Sequence, residues 1–377
     1  MAVCLGVLAS CTTVKTVNTL SNTPHLLSGV LLFGEEVPET PKVDVLALTD
    51  ETKNWAKSRG TTYPHAKTRL KRLIQAMIDD GLLSLEYDQN HSLTAQETFE
   101  ARQGNCLSFS LLFVALAREV DINVQFQMVE VPPSFSIDEE LVFLNNHINV
   151  SITGIRSDVQ FTQNYVVDFN SAEYNGNYKT RRVSDTYAVS LYHGNIAAEL
   201  LADGQHLAAF RHLKRALRLS PNIAGLWVNL GVLYSRKGLL RPAEQAFHRA
   251  LAVNANDRSA LVNLAKVTSK LGRLAESRAY MQRIQRHLQL NPYYYSHQAR
   301  IAIQKLDFDR ALQEIEKAIA LKDDEHQFHH IKGIALYRKG EVTLAQKSLS
   351  KAKNVSHRAD LRQVYSRKLN ALTDDST

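Results

Sequence analysis

At 377 residues, 44% hydrophobic and 22% charged, the chain has the composition of an ordinary folded protein with room for two or three cores. Past its N-terminus no apolar run approaches the roughly 18 residues that a membrane-spanning helix needs, which argues against an integral membrane protein. The net charge of +7 conceals an imbalance: residues 190–377 carry 30 Lys and Arg against 16 Asp and Glu, residues 1–189 carry 15 against 22, and the two halves are therefore about +14 and about −7.

The basic side chains recur through successive segments, as at Arg211, Arg249, Arg283 and Lys347, with no compact run interleaved with aromatics. They read as solvated helix faces, and no nucleic-acid partner is expected. The opposite charges of the two halves suit either docking of one on the other or attraction of an acidic partner to the basic half.

The chain opens with the short apolar stretch Met1 to Cys11, rich in small residues at its end, which reads as the tail of a secretory signal. Leu8-Ala9-Ser10-Cys11 resembles a bacterial lipobox. That resemblance implies a lipid on Cys11, a membrane attachment through that anchor alone, and a place in the cell envelope, on the periplasmic face of the outer membrane because Thr12 follows. Residues 1–11 would then be the signal remnant, and the polar stretch over 12–40 a flexible tether. With Cys4 removed and Cys11 lipidated, Cys106 stands alone, which excludes an intramolecular disulfide and points to a chemical role for the thiol.

Between residues 41 and 189 the pattern is mixed. His65 to Leu83 predicts an amphipathic helix with Leu70, Leu73, Ile74 and Met77 inward and Gly81 at its end. Leu107 to Val120 predicts a second helix with Phe109, Leu112, Phe113 and Leu116 on one buried stripe. Cys106 falls in its first turn, where the helix dipole and unpaired amides favour a thiolate and can receive an oxyanion. Alternating strands follow over Val124–Val131, His147–Ile152 and Tyr165–Phe169. In the middle strand His147, Asn149 and Ser151 share a polar face. Asp168 lies within an apolar strand and needs a hydrogen-bonding or cationic partner, for which Arg181 and Arg182 are possibilities.

Glu100-Ala-Arg-Gln-Gly104-Asn-Cys106, followed by a helix ending Leu116-Ala-Arg118 and then strands, resembles the transglutaminase-like superfamily. The resemblance implies Cys106 as nucleophile, His147 as general base and acid, and Asp168 as the group that orients the imidazole. It also implies an oxyanion hole at the Cys106 amide, with Gln103 or Asn105 as a second donor. Leu107 departs from the aromatic that many relatives carry after the cysteine. Ser108 and Ser110 lack a nucleophile elbow. No metal-spaced cluster, phosphate loop or dinucleotide fingerprint is present, so neither a metal nor another cofactor is expected, and His329-His330 reads as a solvated pair.

From Ser190 a 34-residue period emerges. Residues 224–257 carry Trp227, Leu230, Gly231, Tyr234, Gly238, Ala243, Phe247 and Ala250, which resembles the tetratricopeptide repeat (TPR) nearly position for position. Related units cover 190–223, 258–291, 292–325 and 326–358, with a capping helix and tail over 359–377. Such arrays imply a concave surface for a protein or peptide. The expectation is an α+β transglutaminase-like (papain-like) domain followed by an all-α TPR superhelix. Its function would be that of a Cys-His-Asp amide hydrolase acting through a thioester, with hydrolysis preferred to cross-linking because no feature that excludes water is evident. The alternative is a non-catalytic envelope scaffold.

Overall fold

The computed structural model describes residues 24–82, 86–87, 91–129, 148–156, 162–169, 179–356 and 359–374. After a single turn of 3-10 helix at Pro24–Leu27, the described elements run α1 (Val30–Phe33), α2 (Asp50–Gly60), α3 (Ala66–Asp79), β1 (Glu86–Tyr87), α4 (Ala95–Ala101), β2 (Gln103–Gly104), α5 (Cys106–Glu119), β3 (Val124–Val129), β4 (Ile148–Arg156), β5 (Thr162–Val167) and β6 (Thr180–Val183). Strands β3 to β6 form one antiparallel sheet in the order β5-β4-β3-β6, and β1 pairs in parallel with β2.

Local chemistry sets several boundaries. Thr49 caps α2 by accepting from the Thr52 amide, and the Thr94–Glu97 capping box starts α4. Helix α5 is more enclosed than a single apolar stripe predicts: every residue from Cys106 to Ala117 is buried. Its neighbours are α2, α4 and strands β3 and β4, together with the first helix of the array, so it is apolar nearly all round.

The array follows as helix pairs: α6 (Asp185–Ala202) with α7 (His206–Leu219), α8 (Ala224–Arg236) with α9 (Leu240–Val253), α10 (Arg258–Lys270) with α11 (Leu274–Gln289), α12 (Pro292–Gln304) with α13 (Phe308–Leu321), and α14 (His326–Lys339) with α15 (Val342–Val355). Helix α16 (Ala359–Asp374) packs on α15. At Gly231 a Cβ would sit 2.4 Å from the Phe247 ring, which is why α8 and α9 can cross so closely. The array starts earlier than Ser190 suggests, because Ser184 caps α6 by accepting from the Tyr187 amide.

The stretch expected to be a tether is packed from residue 24 onward. Leu26 and Val37 are buried, the Tyr234 hydroxyl donates to the Leu26 carbonyl at 2.8 Å, and the buried Lys214 ammonium donates to the Val37 carbonyl at 2.6 Å. Glu39 pairs with Arg215 and Arg218 at 3.7 and 3.1 Å. Apolar burial dominates here, since half-exposed ion pairs contribute little. One continuous core therefore runs from Leu26 through the sheet domain to Val267, while smaller clusters serve the later helices. Cys4, Cys11 and the remainder of the predicted signal lie outside the described residues. No helix among the described residues is long and apolar enough to cross a membrane.

Candidate active site

Cys106 is the first residue of α5 and only 2% exposed. Gly104 precedes it at φ +152°, where a Cβ would meet Ser108 Cβ at 2.7 Å, so the chain can turn into the helix only with glycine there. Asn105 caps the helix: its Oδ1 accepts from the Ser108 amide at 3.0 Å and from the Ser108 hydroxyl at 3.1 Å, and its Nδ2 donates to Ser92 Oγ at 2.9 Å. Ser108 Oγ in turn accepts from the Leu93 amide at 2.9 Å. The loop over 91–94 and the first turn of α5 are thus tied together by buried hydrogen bonds. Of the two side chains expected to assist an oxyanion, Asn105 is committed to capping, whereas Gln103 is exposed beside it on β2.

The sheet approaches the same helix. Ser110, one turn beyond Cys106, donates from Oγ to the Ile148 carbonyl at 3.3 Å. His147, the residue before Ile148, lies outside the described residues. Asp168 follows β5 and is half-buried. Its Oδ2 accepts from Asn149 Nδ2 at 3.0 Å, and Asn149 Oδ1 accepts from Gln127 Nε2 at 3.2 Å. Asn149 and Gln127 are Cα partners across β4 and β3, so a polar row crosses the sheet and ends on Asp168. Phe169 stacks near Phe109 and Phe113, with centroids 5.6 and 6.1 Å apart, which fixes the Asp168 segment against the first half of α5. The requirement for a hydrogen-bonding partner of Asp168 is met by Asn149. Arg181 instead lies over the Tyr187 ring and donates to its hydroxyl. The role of Asn149 was signalled only by its place on the polar face of β4.

Ser108 and Ser110 are buried and occupied in structural hydrogen bonds. His329 and His330 are not a solvated pair. His329 is buried and bonds the Asp323 carbonyl at 2.7 Å, and His330 is covered by α16, with Lys368 at 2.7 Å and its pKa pushed down to about 4 by burial. For His330 the cause is the packing of α16, through Tyr365 and Lys368, on its ring. Among the described residues no cluster of three or more His, Cys, Asp and Glu could hold a metal ion.

Comparison with known proteins finds the transglutaminase-like superfamily over residues 53–148, a match that contains Cys106 and His147 and ends before Asp168. Tetratricopeptide repeat families match residues 200–260 and 297–356. The tetratricopeptide repeat-containing protein trd-1 of Caenorhabditis elegans is 22% identical over 165 residues, which cover 43% of this chain and 21% of that protein. Among solved structures, MamA from Desulfovibrio magneticus RS-1 is 18% identical, with a TM-score of 0.26, and covers 47% of this chain and 98% of its own. PilF of Pseudomonas aeruginosa is 16% identical, with a TM-score of 0.28, over 51% of this chain and 88% of its own. The chain accordingly joins a domain of the transglutaminase-like superfamily to a run of tetratricopeptide repeats.

Proposed function

We propose that this protein is a cysteine amide hydrolase whose repeat array recruits a protein or peptide substrate. The observation that carries the reading is the position of Cys106 as the first residue of α5, where the helix dipole favours the thiolate, on the helix against which Phe169 anchors the Asp168 segment. In this mechanism His147 takes the Cys106 proton, and the thiolate attacks the carbonyl carbon of the scissile amide. The oxyanion is received by the Cys106 backbone amide and by Gln103. Collapse expels the amine, which takes its proton from His147 and leaves a thioester on Cys106. Water, losing a proton to His147, then attacks the thioester and releases a carboxylic acid and the thiol. Asp168, held by Asn149, orients the imidazole.

We further propose a lipid on Cys11 and a position at the periplasmic face of the outer membrane. Mass spectrometry of the mature N-terminus tests this, and an unmodified Met1 refutes it.

A second reading, a non-catalytic scaffold using the same repeats, is favoured by the burial of Cys106. Alkylation of Cys106 by iodoacetamide from about pH 4 to about pH 10, in the parent and in His147→Ala, decides between them. Rapid reaction below neutral pH that disappears in the variant is the expected result. Slow reaction that rises only near the pKa of an ordinary thiol, or none, overturns the hydrolase and leaves the scaffold.

A further inference from the structure

Helix α5 and helix α6 lie against each other and are tied at both ends. At one end Arg118, in the last turn of α5, makes two hydrogen bonds with Asp185, in the first turn of α6, at 2.7 and 2.9 Å. At the other end Glu199, fourteen residues along α6, accepts from the Ser92 amide through Oε1 at 3.0 Å. Ser92 Oγ accepts from Asn105 Nδ2, and Asn105 caps α5 beside Cys106. The span from Asn105 to Arg118 is thirteen residues, so the two ties are separated by nearly equal lengths of helix, roughly 20 Å at 1.5 Å per residue. The two helices therefore run antiparallel, with their ends in register.

From Ser92 onward the chain of contacts at the Cys106 end is buried, with Ser92, Asn105 and Ser108 each less than 5% exposed, while Glu199 is half-buried. Such bonds lack water as an alternative partner, so removing one leaves an unsatisfied group and loosens the segment it held. Tyr192, one helical face along α6, is buried close to Glu199 and to Glu97 of the α4 capping box, and its hydroxyl is pushed up to about 12 by burial first and these carboxylates second. The first helix of the array thus reaches both the cap of α4 and the loop that secures α5.

We infer that Glu199, a residue of the repeat array, is a positioning residue for Cys106, acting through Ser92 and the Asn105 cap. The inference rests on the hydrolase reading for its consequence, since it makes the array a structural part of the thiol's environment as well as a recruiting surface.

The test uses the full chain and the variants Glu199→Ala, Glu199→Asp, Glu199→Gln, Ser92→Ala and Asp185→Asn. Amide hydrogen exchange is followed over residues 91–108, and alkylation of Cys106 by iodoacetamide is followed against pH. In Glu199→Ala and Ser92→Ala, exchange over 91–108 is expected to accelerate about tenfold or more, and the alkylation midpoint to rise toward that of an ordinary thiol. Glu199→Gln keeps an acceptor oxygen and is expected to retain both parental behaviours. Asp185→Asn, at the far end of the helix pair, is expected to leave the alkylation midpoint unchanged. Ser92→Ala keeps the amide that Glu199 accepts from and so judges the second link, from Ser92 Oγ to Asn105; Glu199→Asp, one methylene shorter and expected to accelerate exchange as Glu199→Ala does, judges the first link even if Glu199→Ala folds poorly. Parental exchange and midpoint in both alanine variants overturn the inference, as does loss of protection in Glu199→Gln. A downward shift of the midpoint in Glu199→Ala marks the carboxylate as only an unfavourable charge and overturns it too. A parental thiol that titrates ordinarily defeats the hydrolase reading, while the exchange measurement still judges the positioning.

Discussion

Replacement of Asn149 by alanine tests the polar row that ends on Asp168. Asn149 is fully buried, donates to the Asp168 carboxylate at 3.0 Å and accepts from the buried Gln127 amide at 3.2 Å. A hydrogen bond to a charged group contributes about 1.5 to 3 kcal/mol, and one between neutral groups about 0.5 to 1.5 kcal/mol. The substitution removes one of each and leaves a buried amide unsatisfied, so the expected loss is about 2 to 4 kcal/mol. Urea denaturation at neutral pH, followed by far-ultraviolet circular dichroism, measures it as a fall in midpoint at unchanged slope. The isosteric Asn149→Asp provides a sign test. A second carboxylate placed in contact with Asp168 is tolerated while one of the pair is protonated, so this variant should be closer to the parent at pH 5 than at pH 8. A loss below about 1 kcal/mol in the alanine variant, or equal destabilisation of the aspartate variant at both pH values, would refute the assignment.

Two further outcomes follow from packing and burial. His193 is fully buried, its Nδ1 lies 3.2 Å from that of His212, and burial first and then His212 and Arg215 push its pKa down to about 3. The folded state therefore holds fewer protons than the unfolded state between about pH 3 and 6.5, so its stability is complete above that window and falls as the pH drops through it. At pH 5 the expected loss from His193 alone is about 2 kcal/mol relative to pH 7.5, and urea titrations of parent and His193→Asn at the two pH values should show this difference disappear in the variant. In the array, Gly231→Val places new atoms where a Cβ alone would already lie 2.4 Å from Phe247. Thermal unfolding should show a loss of about 3 kcal/mol or more, whereas Gly238→Ala, in open space at φ +75°, should cost only its backbone strain of about 1 to 2 kcal/mol.

Much of the architecture is carried by local pattern. The spacing of Trp227, Gly231, Ala243 and Phe247 specifies a helix pair because each residue fills or vacates a fixed place where two helices cross. Asn291-Pro292 marks the start of α12, since asparagine caps and proline suits the first helical position. The position of Cys106 at the head of α5 was legible from the apolar stripe of Leu107 to Val120 behind it, and the structure adds that Gly104 admits the turn and Asn105 caps the helix. What local pattern could not carry is the set of contacts between distant residues. Lys214 with Val37, Glu199 with Ser92 and Asn149 with Asp168 join positions 177, 107 and 19 residues apart. No period marks them, and each depends on the whole backbone to bring its partner within reach. The stretch over 24–40, expected to be part of a tether, carries Leu26, Leu27, Val30 to Phe33 and Val37, and it packs by burying Leu26, Leu27 and Val37 while Lys214 and Tyr234 of α7 and α8 donate to its carbonyls. The sequence by itself determined the repeats, the helix that begins at Cys106 and the order of the candidate residues. Tertiary structure alone decided that α5 is enclosed on every side, that Asp168 rests on Asn149, and that the array begins as a wall of the cysteine domain, because burial is a property of the assembled fold and not of any segment within it.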